Sequence, residues 1–207
     1  MTDFEPEHIT IGILPFRSNR KMSKILVLYG TTDGQTLKIA ERIGDIARSQ
    51  KFEVEGINAA DLPATFTMSS YQAFIIGSSL RNRKYNAAVI QFIKDHKDDL
   101  NRNPATFFSV SMGDYTNFGR KGVRKLLKDF LGKMDWQPVN VGRFAGALMY
   151  TKYDFWTKFI MSIAGWFMGY PNDTSKDHEL TDWNQVEKFT EEFLEHVKKT
   201  RSSSPPS

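Results

Sequence analysis

A loop rich in hydroxyl groups joins the first apolar run of the sequence to its first amphipathic stretch, in the order GTTDGQT from Gly30 to Thr36. The N-terminus of a helix presents unpaired N–H groups and a partial positive charge, which bind phosphate. Because GxxxxGKS and GxxxxGKT are absent, a P-loop NTPase is disfavoured, and the absence of GxGxxG disfavours a dinucleotide-binding site. The loop therefore predicts a site for a monophosphate ester; the alternative is a polar turn capped by threonine.

The elements that must position this loop alternate along the chain. Apolar runs predict strands at 24–30, 52–57, 71–77, 105–110 and 138–147, and amphipathic periodicity predicts helices at 36–49, 87–100, 119–133 and 181–199. Strands separated by helices imply a parallel sheet with helices on both faces, and ligands bind beyond the carboxyl ends of its strands. We therefore predict an α/β fold, a three-layer sandwich around a five-stranded parallel sheet.

The hydroxyl-rich loop resembles the phosphate loop of the flavodoxins, which hold the phosphate of FMN. The resemblance implies a flavodoxin-like fold in which the ends of the third and fourth strands enclose the flat flavin ring. Small residues at those ends let the backbone approach such a ring, although ordinary connecting loops are the alternative. The cofactor-binding residues expected on this basis are Thr31, Thr32, Asp33, Gly34, Gln35, Thr36, Ser78, Ser79, Leu80, Arg81, Ser109, Val110, Ser111, Met112 and Gly113.

Composition narrows the classes of protein further. A chain of 207 residues suits one domain with decorations, and the absence of cysteine excludes disulfide scaffolds, Cys-ligated zinc, iron–sulfur clusters and cysteine nucleophiles. We predict no metal site. The net charge is +4, whereas the flavodoxin carriers are acidic. Three basic side chains lie near the predicted ring: Arg81, Arg83 and Lys84. Their charge favours binding of an anionic substrate or of an anionic bilayer. We predict no nucleic-acid partner.

An aromatic segment at residues 153–170 does not fit the alternation of strands and helices. Its sequence, YDFWTKFIMSIAGWFMGY, predicts an inserted amphipathic helix whose uncharged part is too short to span a bilayer. Trp, Phe and Met with few charges suit insertion into the interface of one leaflet. The alternative is packing against the domain or against a second copy in a homo-oligomer. The predicted membrane contacts are Phe155, Trp156, Phe159, Ile163, Trp166 and Phe167.

The two ends of the chain differ in composition from the domain between them. Residues 1–23 carry acidic residues before any basic one, which argues against a secretory or transit peptide, and we expect a flexible extension. Residues 201–207 are polar and contain proline, so we expect a disordered tail. The domain itself is predicted to span residues 24–200.

A closer resemblance involves several motifs together. GTTDGQT, IGSSLR, the AGALMY run that ends at Tyr150, the aromatic segment, NDT at 172–174 and TDW at 181–183 resemble the menaquinone-dependent protoporphyrinogen IX dehydrogenases, flavodoxin-like FMN proteins of haem biosynthesis. The resemblance covers about residues 24–196. The phosphate loop is weakly specific, whereas the AGALMY run, the aromatic segment and TDW are much more specific.

The resemblance implies a definite reaction. FMN would take electrons from protoporphyrinogen IX two at a time and pass them to menaquinone or ubiquinone, leaving protoporphyrin IX. The two propionates of the substrate would pair with Arg81, Arg83 and Lys84. A peripheral membrane protein on the cytoplasmic face of the inner membrane, or of the equivalent organellar membrane, is expected. No catalytic base is identifiable. A flavodoxin-type electron carrier and an NAD(P)H:quinone reductase stay open as alternatives.

Overall fold

The computed structural model describes residues 24–152, 170–171 and 173–203. The N-terminal extension, residues 153–169 of the aromatic segment and residues 204–207 lie outside the described residues. The six predicted membrane contacts, Phe155, Trp156, Phe159, Ile163, Trp166 and Phe167, therefore also lie outside them.

Five parallel strands form the central sheet, as predicted. They are β1 (Lys24–Gly30), β2 (Glu53–Asn58), β3 (Ala73–Arg81), β5 (Ala105–Ser111) and β6 (Val141–Ala145), and a two-residue strand β4 (Lys84–Tyr85) pairs antiparallel with β3. The order across the sheet is β2-β1-β3-β5-β6. The direction of winding reverses between β1 and β3, and ligands of doubly wound sheets bind at this switch point, beyond the carboxyl ends of the strands.

Helices cover both faces of the sheet, which confirms the three-layer prediction. They are α1 (Gln35–Ser49), α2 (Ala87–Asp95), α3 (Lys97–Arg102), α4 (Asn117–Met134) and α5 (Trp183–Ser203). Successive side chains of a strand point to opposite faces. Accordingly Ile25 and Val27 pack with α1 and α5, whereas Leu26 and Leu28 pack with α2 and α4. The helix α5 continues to Ser203, three residues into the predicted tail.

The helix predicted at 87–100 is interrupted. The backbone of His96 leaves the helical region, with φ −119° and ψ 19°, so that α2 ends at Asp95 and α3 begins at Lys97. The His96 ring packs on that of Phe92, with 4.7 Å between ring centroids. Leu100 is buried in the same core cluster as Phe92. Apolar residues on both sides of the break therefore face the same core, and the sequence pattern alone does not reveal the interruption.

The strand predicted at 138–147 is shorter than expected, because the chain leaves the sheet at Gly146. Strand β7 (Ala147–Leu148) pairs instead with β8 (His178–Glu179) in a separate antiparallel ribbon. The last helix begins at Trp183 and not at the predicted residue, Thr181. Its hydroxyl donates to the carbonyl oxygen of Ala145 at 2.8 Å, and Asp182 accepts from the first backbone N–H groups of α5.

Candidate functional site

A cleft of about 420 Å³ lies at the carboxyl edge of the sheet, between the loops that follow β1, β3 and β5. We refer to it as the carboxyl-edge cleft. It brings together twelve of the fifteen residues predicted to bind a cofactor: Thr31, Thr32, Asp33, Gln35, Thr36, Ser79, Leu80, Arg81, Val110, Ser111, Met112 and Gly113. Three segments that are distant in sequence therefore form one concave surface at the topological switch point.

The first loop places threonine hydroxyls around the N-terminus of α1. The Thr31 hydroxyl accepts a hydrogen bond from the backbone N–H of Gly34 at 3.0 Å, and Gly34 has φ 93°, a conformation that glycine adopts without steric cost. Thr36 is buried in the first turn of the helix, whose leading N–H groups have no intrahelical partner. The loop thus presents several donors to the cleft without a cationic side chain of its own.

A chain of hydrogen bonds fixes the start of α1 to β6. The amide nitrogen of the buried Gln35 side chain donates to the Thr181 hydroxyl at 2.9 Å, and Thr181 in turn donates to the carbonyl of Ala145. Because the three residues lie on different elements, the end of the cleft at α1 is held in position by the far side of the domain.

The second loop is a tight hairpin between β3 and β4. Its two central residues, Asn82 and Arg83, have φ 49° and 61°. Two successive positive φ values define the turn type that matches the twist of a two-residue hairpin. Arginine is an unusual residue for this conformation, which costs free energy wherever glycine is absent. The turn places Arg83 on the wall of the cleft.

Three predicted cofactor residues do not line the cleft. The Ser78 hydroxyl accepts from the backbone N–H of Asn86 at 3.0 Å, and the Ser109 hydroxyl accepts from the Tyr85 hydroxyl at 3.2 Å. Both serines are buried behind the wall, and burial raises the pKa of Tyr85 to about 12. Gly34 supports the first loop by its conformation. These three residues shape the walls of the cleft.

The third loop packs tightly against α4. A Cβ atom on Gly113 would come within 2.7 Å of Val123, and one on Gly119 would come within 2.4 Å of the Gly113 carbonyl oxygen. The close approach of two glycine backbones therefore brings the start of α4 to the cleft. Residues of α4 complete the wall, namely Val123 and Leu126.

Behind the third loop lies Asp114, the one charged side chain that is buried among the described residues. Its carboxylate accepts from the Ser111 hydroxyl at 2.9 Å and pairs with Arg143 at 3.1 Å. Burial raises the pKa of Asp114, while Ser111, Arg143 and Arg120 oppose that shift. The network holds Ser111 on the wall of the carboxyl-edge cleft.

The three cations predicted to bind substrate differ in their environments. Arg81 lines the cleft but forms an ion pair with Asp33 at 3.2 Å, so its charge is partly compensated. Arg83 lines the cleft and Lys84 lines a depression beside it. Neither Arg83 nor Lys84 has a hydrogen-bonding or ionic partner among the described residues. Of the three, Arg83 is therefore the free cation on the cleft itself.

Sequence reasoning missed several residues of the cleft wall: Asn82, Val123, Leu126, Gly146 and Ala147. Val123 and Leu126 lie within the helix predicted at 119–133, but their position over the cleft depends on the glycine contact between the third loop and the helix. Gly146 and Ala147 belong to the AGALMY run, which the closer resemblance had already marked without a structural role.

Aromatic side chains flank the third loop at the same edge. The rings of Tyr115 and Tyr170 stack with centroids 5.6 Å apart, and the Tyr170 hydroxyl donates to the Met112 carbonyl at 3.0 Å. Phe118, near the start of α4, is 88% exposed. None of the helices within residues 24–152 and 173–203 is long and apolar enough to cross a membrane.

The fold and this cleft define a class of protein. The family model described as a flavodoxin domain matches residues 26–175, and the chain belongs to that family. In fold it is similar to oxidised flavodoxin 1 from Bacillus cereus, at 18% identity and a TM-score of 0.53, covering 84% of this chain and 99% of the other. A flavodoxin from the domain Archaea gives a TM-score of 0.52 at 18% identity, over 84% and 99% of the two chains.

Curated relatives narrow the class to an oxidoreductase. The chain is 30% identical over 172 residues to protoporphyrinogen IX dehydrogenase (quinone) from Leishmania major, over 82% of this chain and 74% of that protein. It is 29% identical over 176 residues to the protein of the same name from Escherichia coli K12, over 82% and 94%. These relatives confirm the resemblance seen in the sequence motifs.

Proposed function

We propose that the carboxyl-edge cleft binds FMN. The observation that carries this proposal is the convergence of three loops on one cleft that includes the hydroxyl-rich N-terminus of α1. Thr31, Thr32 and Thr36 would hold the phosphate together with the N–H groups of the first turn of α1. The volume of about 420 Å³ lies within the range of sites for small cofactors.

The walls of the cleft suit a flat ring. Leu80, Val110, Met112 and Leu126 supply apolar surface, and the backbone of the third loop is exposed to the cleft at Gly113. When bound, FMN supplies two-electron redox chemistry that no side chain of this protein can provide. The role of the protein is to position the ring, to exclude water from one side of it, and to leave the other side open to a substrate.

We further propose that the protein is a quinone-dependent protoporphyrinogen IX dehydrogenase of haem biosynthesis. The names of the two relatives and the sequence motifs support this reaction. Protoporphyrinogen IX would be oxidised in successive two-electron steps, and menaquinone or ubiquinone would accept the electrons. The net charge of +4 and the free Arg83 on the cleft favour an anionic substrate.

Both the porphyrinogen and the quinone are lipophilic, so we place the protein on a membrane as a peripheral protein. The cytoplasmic face of the inner membrane, or its organellar equivalent, is the proposed location. Support comes from the two ends of the aromatic segment. Tyr170 contacts the third loop beside the cleft, and the hydroxyl of Tyr150 donates to the carbonyl of Pro171 at 2.9 Å. A lipid-bound segment at this position would hold the cleft at the membrane surface.

Titration of the apoprotein with FMN tests the cofactor assignment. Thr31→Ala removes a hydroxyl from the first loop, and loss of one hydrogen bond predicts FMN binding about two- to tenfold weaker. Thr67→Ala is the matched control, because Thr67 lies in a short turn before β3, at the opposite edge of the sheet. Equal FMN affinity of wild type and Thr31→Ala, or failure of the wild type to bind FMN, contradicts the assignment.

Turnover separates the proposed reaction from its two alternatives. The FMN-loaded protein is expected to reduce menaquinone or ubiquinone with protoporphyrinogen IX as the electron donor and to release protoporphyrin IX. Quinone reduction that requires NAD(P)H instead would identify an NAD(P)H:quinone reductase. If the flavin can be reduced and reoxidised but neither protoporphyrinogen IX nor NAD(P)H is turned over, the protein is an electron carrier.

Sedimentation with liposomes tests the membrane proposal. Replacement of Trp156, Phe159 and Trp166 by serine should release the protein from anionic liposomes, because each buried aromatic side chain contributes about 1.5–3 kcal/mol of transfer free energy. The control variant replaces Val139 and Val141 by serine. Both are exposed residues at the amino edge of the sheet, opposite the carboxyl-edge cleft. Retained binding by a triple variant with unchanged circular dichroism and FMN content would rule out the proposal.

A further inference from the structure

A second cleft, of about 410 Å³, lies on the other side of the third loop. We call it the arginine cleft, because Arg120, Arg124 and Arg143 line it. The third loop separates the two clefts: Ser111, Met112 and Gly113 line the carboxyl-edge cleft, while Asp114 and Tyr115 line the arginine cleft. A molecule bound in the arginine cleft would therefore be separated from the carboxyl-edge cleft by this single loop.

Two of the three guanidinium groups are held in place. Arg143 pairs with the buried Asp114 at 3.1 Å. Arg120 donates from Nε to the Asp114 carbonyl at 2.9 Å, and its other nitrogens donate to the Tyr115 carbonyl and the Asn117 side chain. These bonds fix the cleft wall before any ligand binds, which lowers the entropy cost of binding.

Arg124 differs from both, because it has no hydrogen-bonding or ionic partner within the part of the chain that the structure describes. The cleft contains a second carboxylate, Asp182, but its oxygen already accepts from two backbone N–H groups at the start of α5. Three cations thus face two carboxylates, one of which is neutralised by Arg143 and the other engaged by a helix terminus. The arginine cleft carries an excess of positive charge that is concentrated at Arg124.

The surroundings of Arg124 indicate which anion fits. A guanidinium group binds a carboxylate through two parallel hydrogen bonds. Next to the cleft stand the stacked rings of Tyr115, which lines it, and Tyr170, which offer a surface to a large apolar ring system. A ligand with an apolar macrocycle and peripheral carboxylates would use both features at once.

We propose that the arginine cleft binds a carboxylate side chain of the tetrapyrrole substrate, with Arg124 as its direct partner; this inference rests on the proposed function. It differs from the sequence-based assignment of carboxylate binding to Arg81, Arg83 and Lys84. Because Arg81 is paired with Asp33, its replacement also disturbs the first loop, whereas Arg124 has no hydrogen bond or ion pair to break among the residues that the structure describes.

The test compares the free substrate with its dimethyl ester, which keeps the macrocycle and lacks both negative charges. Arg124→Ala is expected to raise the KM for protoporphyrinogen IX about tenfold or more, the effect of losing one charge-assisted hydrogen bond, while kcat and FMN content stay unchanged. The KM for the ester should be the same in wild type and variant. Lys128→Ala, one helical turn further along α4 and outside the arginine cleft, is the matched control and should match wild type.

Binding of the product distinguishes failure of this proposal from failure of the proposed function. Quenching of protein fluorescence by protoporphyrin IX and by its dimethyl ester measures the affinity of the FMN-loaded protein without turnover. Weaker binding of the free acid alone by Arg124→Ala supports the proposal even if no substrate is oxidised. An unchanged affinity for the free acid, or an equal loss for acid and ester, overturns it. The proposal is also overturned if Arg124→Ala weakens binding to anionic liposomes but leaves the affinity for the free acid unchanged, because Arg124 would then contact lipid and not the tetrapyrrole.

Discussion

Two glycines of α4 allow the same substitution to be tested in opposite contexts. A Cβ atom at Gly119 would lie 2.4 Å from the carbonyl oxygen and 2.9 Å from the Cα atom of Gly113, whereas a Cβ atom at Gly122 would meet nothing within 4 Å. Both positions are helical, so replacement by alanine gains about 1 kcal/mol or less of helix propensity at each. The difference between Gly119→Ala and Gly122→Ala therefore isolates the contact with the third loop.

The size of the difference follows from the rigidity of that contact. The atoms opposite Gly119 belong to backbone, which cannot rotate away as a flexible side chain would. Forcing one extra methyl group into a packed site costs about 1–3 kcal/mol. Gly122→Ala should be as stable as wild type or more stable, and Gly119→Ala should be about 1–3 kcal/mol less stable than Gly122→Ala. For a domain of this size each kcal/mol shifts the melting temperature by about 2–4 °C.

Chemical denaturation of the two variants in parallel measures the difference in free energy of unfolding. Titration with FMN provides a second measurement, because Gly113 and its neighbours line the carboxyl-edge cleft. Displacement of the third loop should weaken FMN binding in Gly119→Ala and leave it unchanged in Gly122→Ala. If the two variants unfold at the same denaturant concentration and bind FMN equally, the third loop does not depend on close backbone packing, and our reasoning about the cleft wall is wrong.

Two further predictions concern other parts of the domain. Hydrogen bonds from Lys24 and Tyr71 lower the pKa of Glu55, so its stabilising contribution is present above pH 4.5 and is lost as the pH falls through the lower folded-state pKa. At pH 7 the melting temperature of Glu55→Gln should therefore be lower than that of wild type, and at pH 3 the two should be closer. An equal difference in melting temperature at both pH values would contradict this, as would a difference of the same size for the control, Glu53→Gln. At Gly34 an added Cβ meets nothing within 4 Å but φ is 93°, so Gly34→Ala should lose about 1–2 kcal/mol through backbone conformation alone. Gly56→Ala, which also meets nothing but has no positive φ, is the control for denaturation, and equal stability of the two variants would refute the strain at Gly34.

Elements with strong local signals could be predicted from the sequence. β1, the loop at 31–36 and α1 follow one another as expected, because an apolar run, a glycine-containing turn and a helical periodicity each depend on neighbouring residues alone. Twelve of the fifteen predicted cofactor residues line one cleft, because a parallel sheet brings the carboxyl ends of its strands to one edge.

Features that depend on distant residues could not be predicted. The ion pair between Arg81 and Asp33 requires the end of β3 to lie beside the first loop. The sequence around either residue does not indicate that the two side chains are close in space. Thr181 has the residue type of an N-cap, but its hydroxyl is committed to Ala145 and the cap passes to Asp182. The arginine cleft likewise combines α4, β6 and the start of α5, which only the tertiary structure brings together.

The hydrogen bond between Tyr150 and Pro171 has a consequence for how this protein can be altered. The two strands that flank the aromatic segment, β7 and β8, are paired with each other, and the backbone N–H and hydroxyl of Thr151 both donate to Asp177. These contacts of the described residues hold the two sides of the aromatic segment together as a stem, so a short flexible linker would close the loop between them at a small entropy cost. Exchange of residues 153–169 for another sequence is therefore expected to leave the stem, the sheet beneath it and the contacts of Tyr170 with the third loop in place.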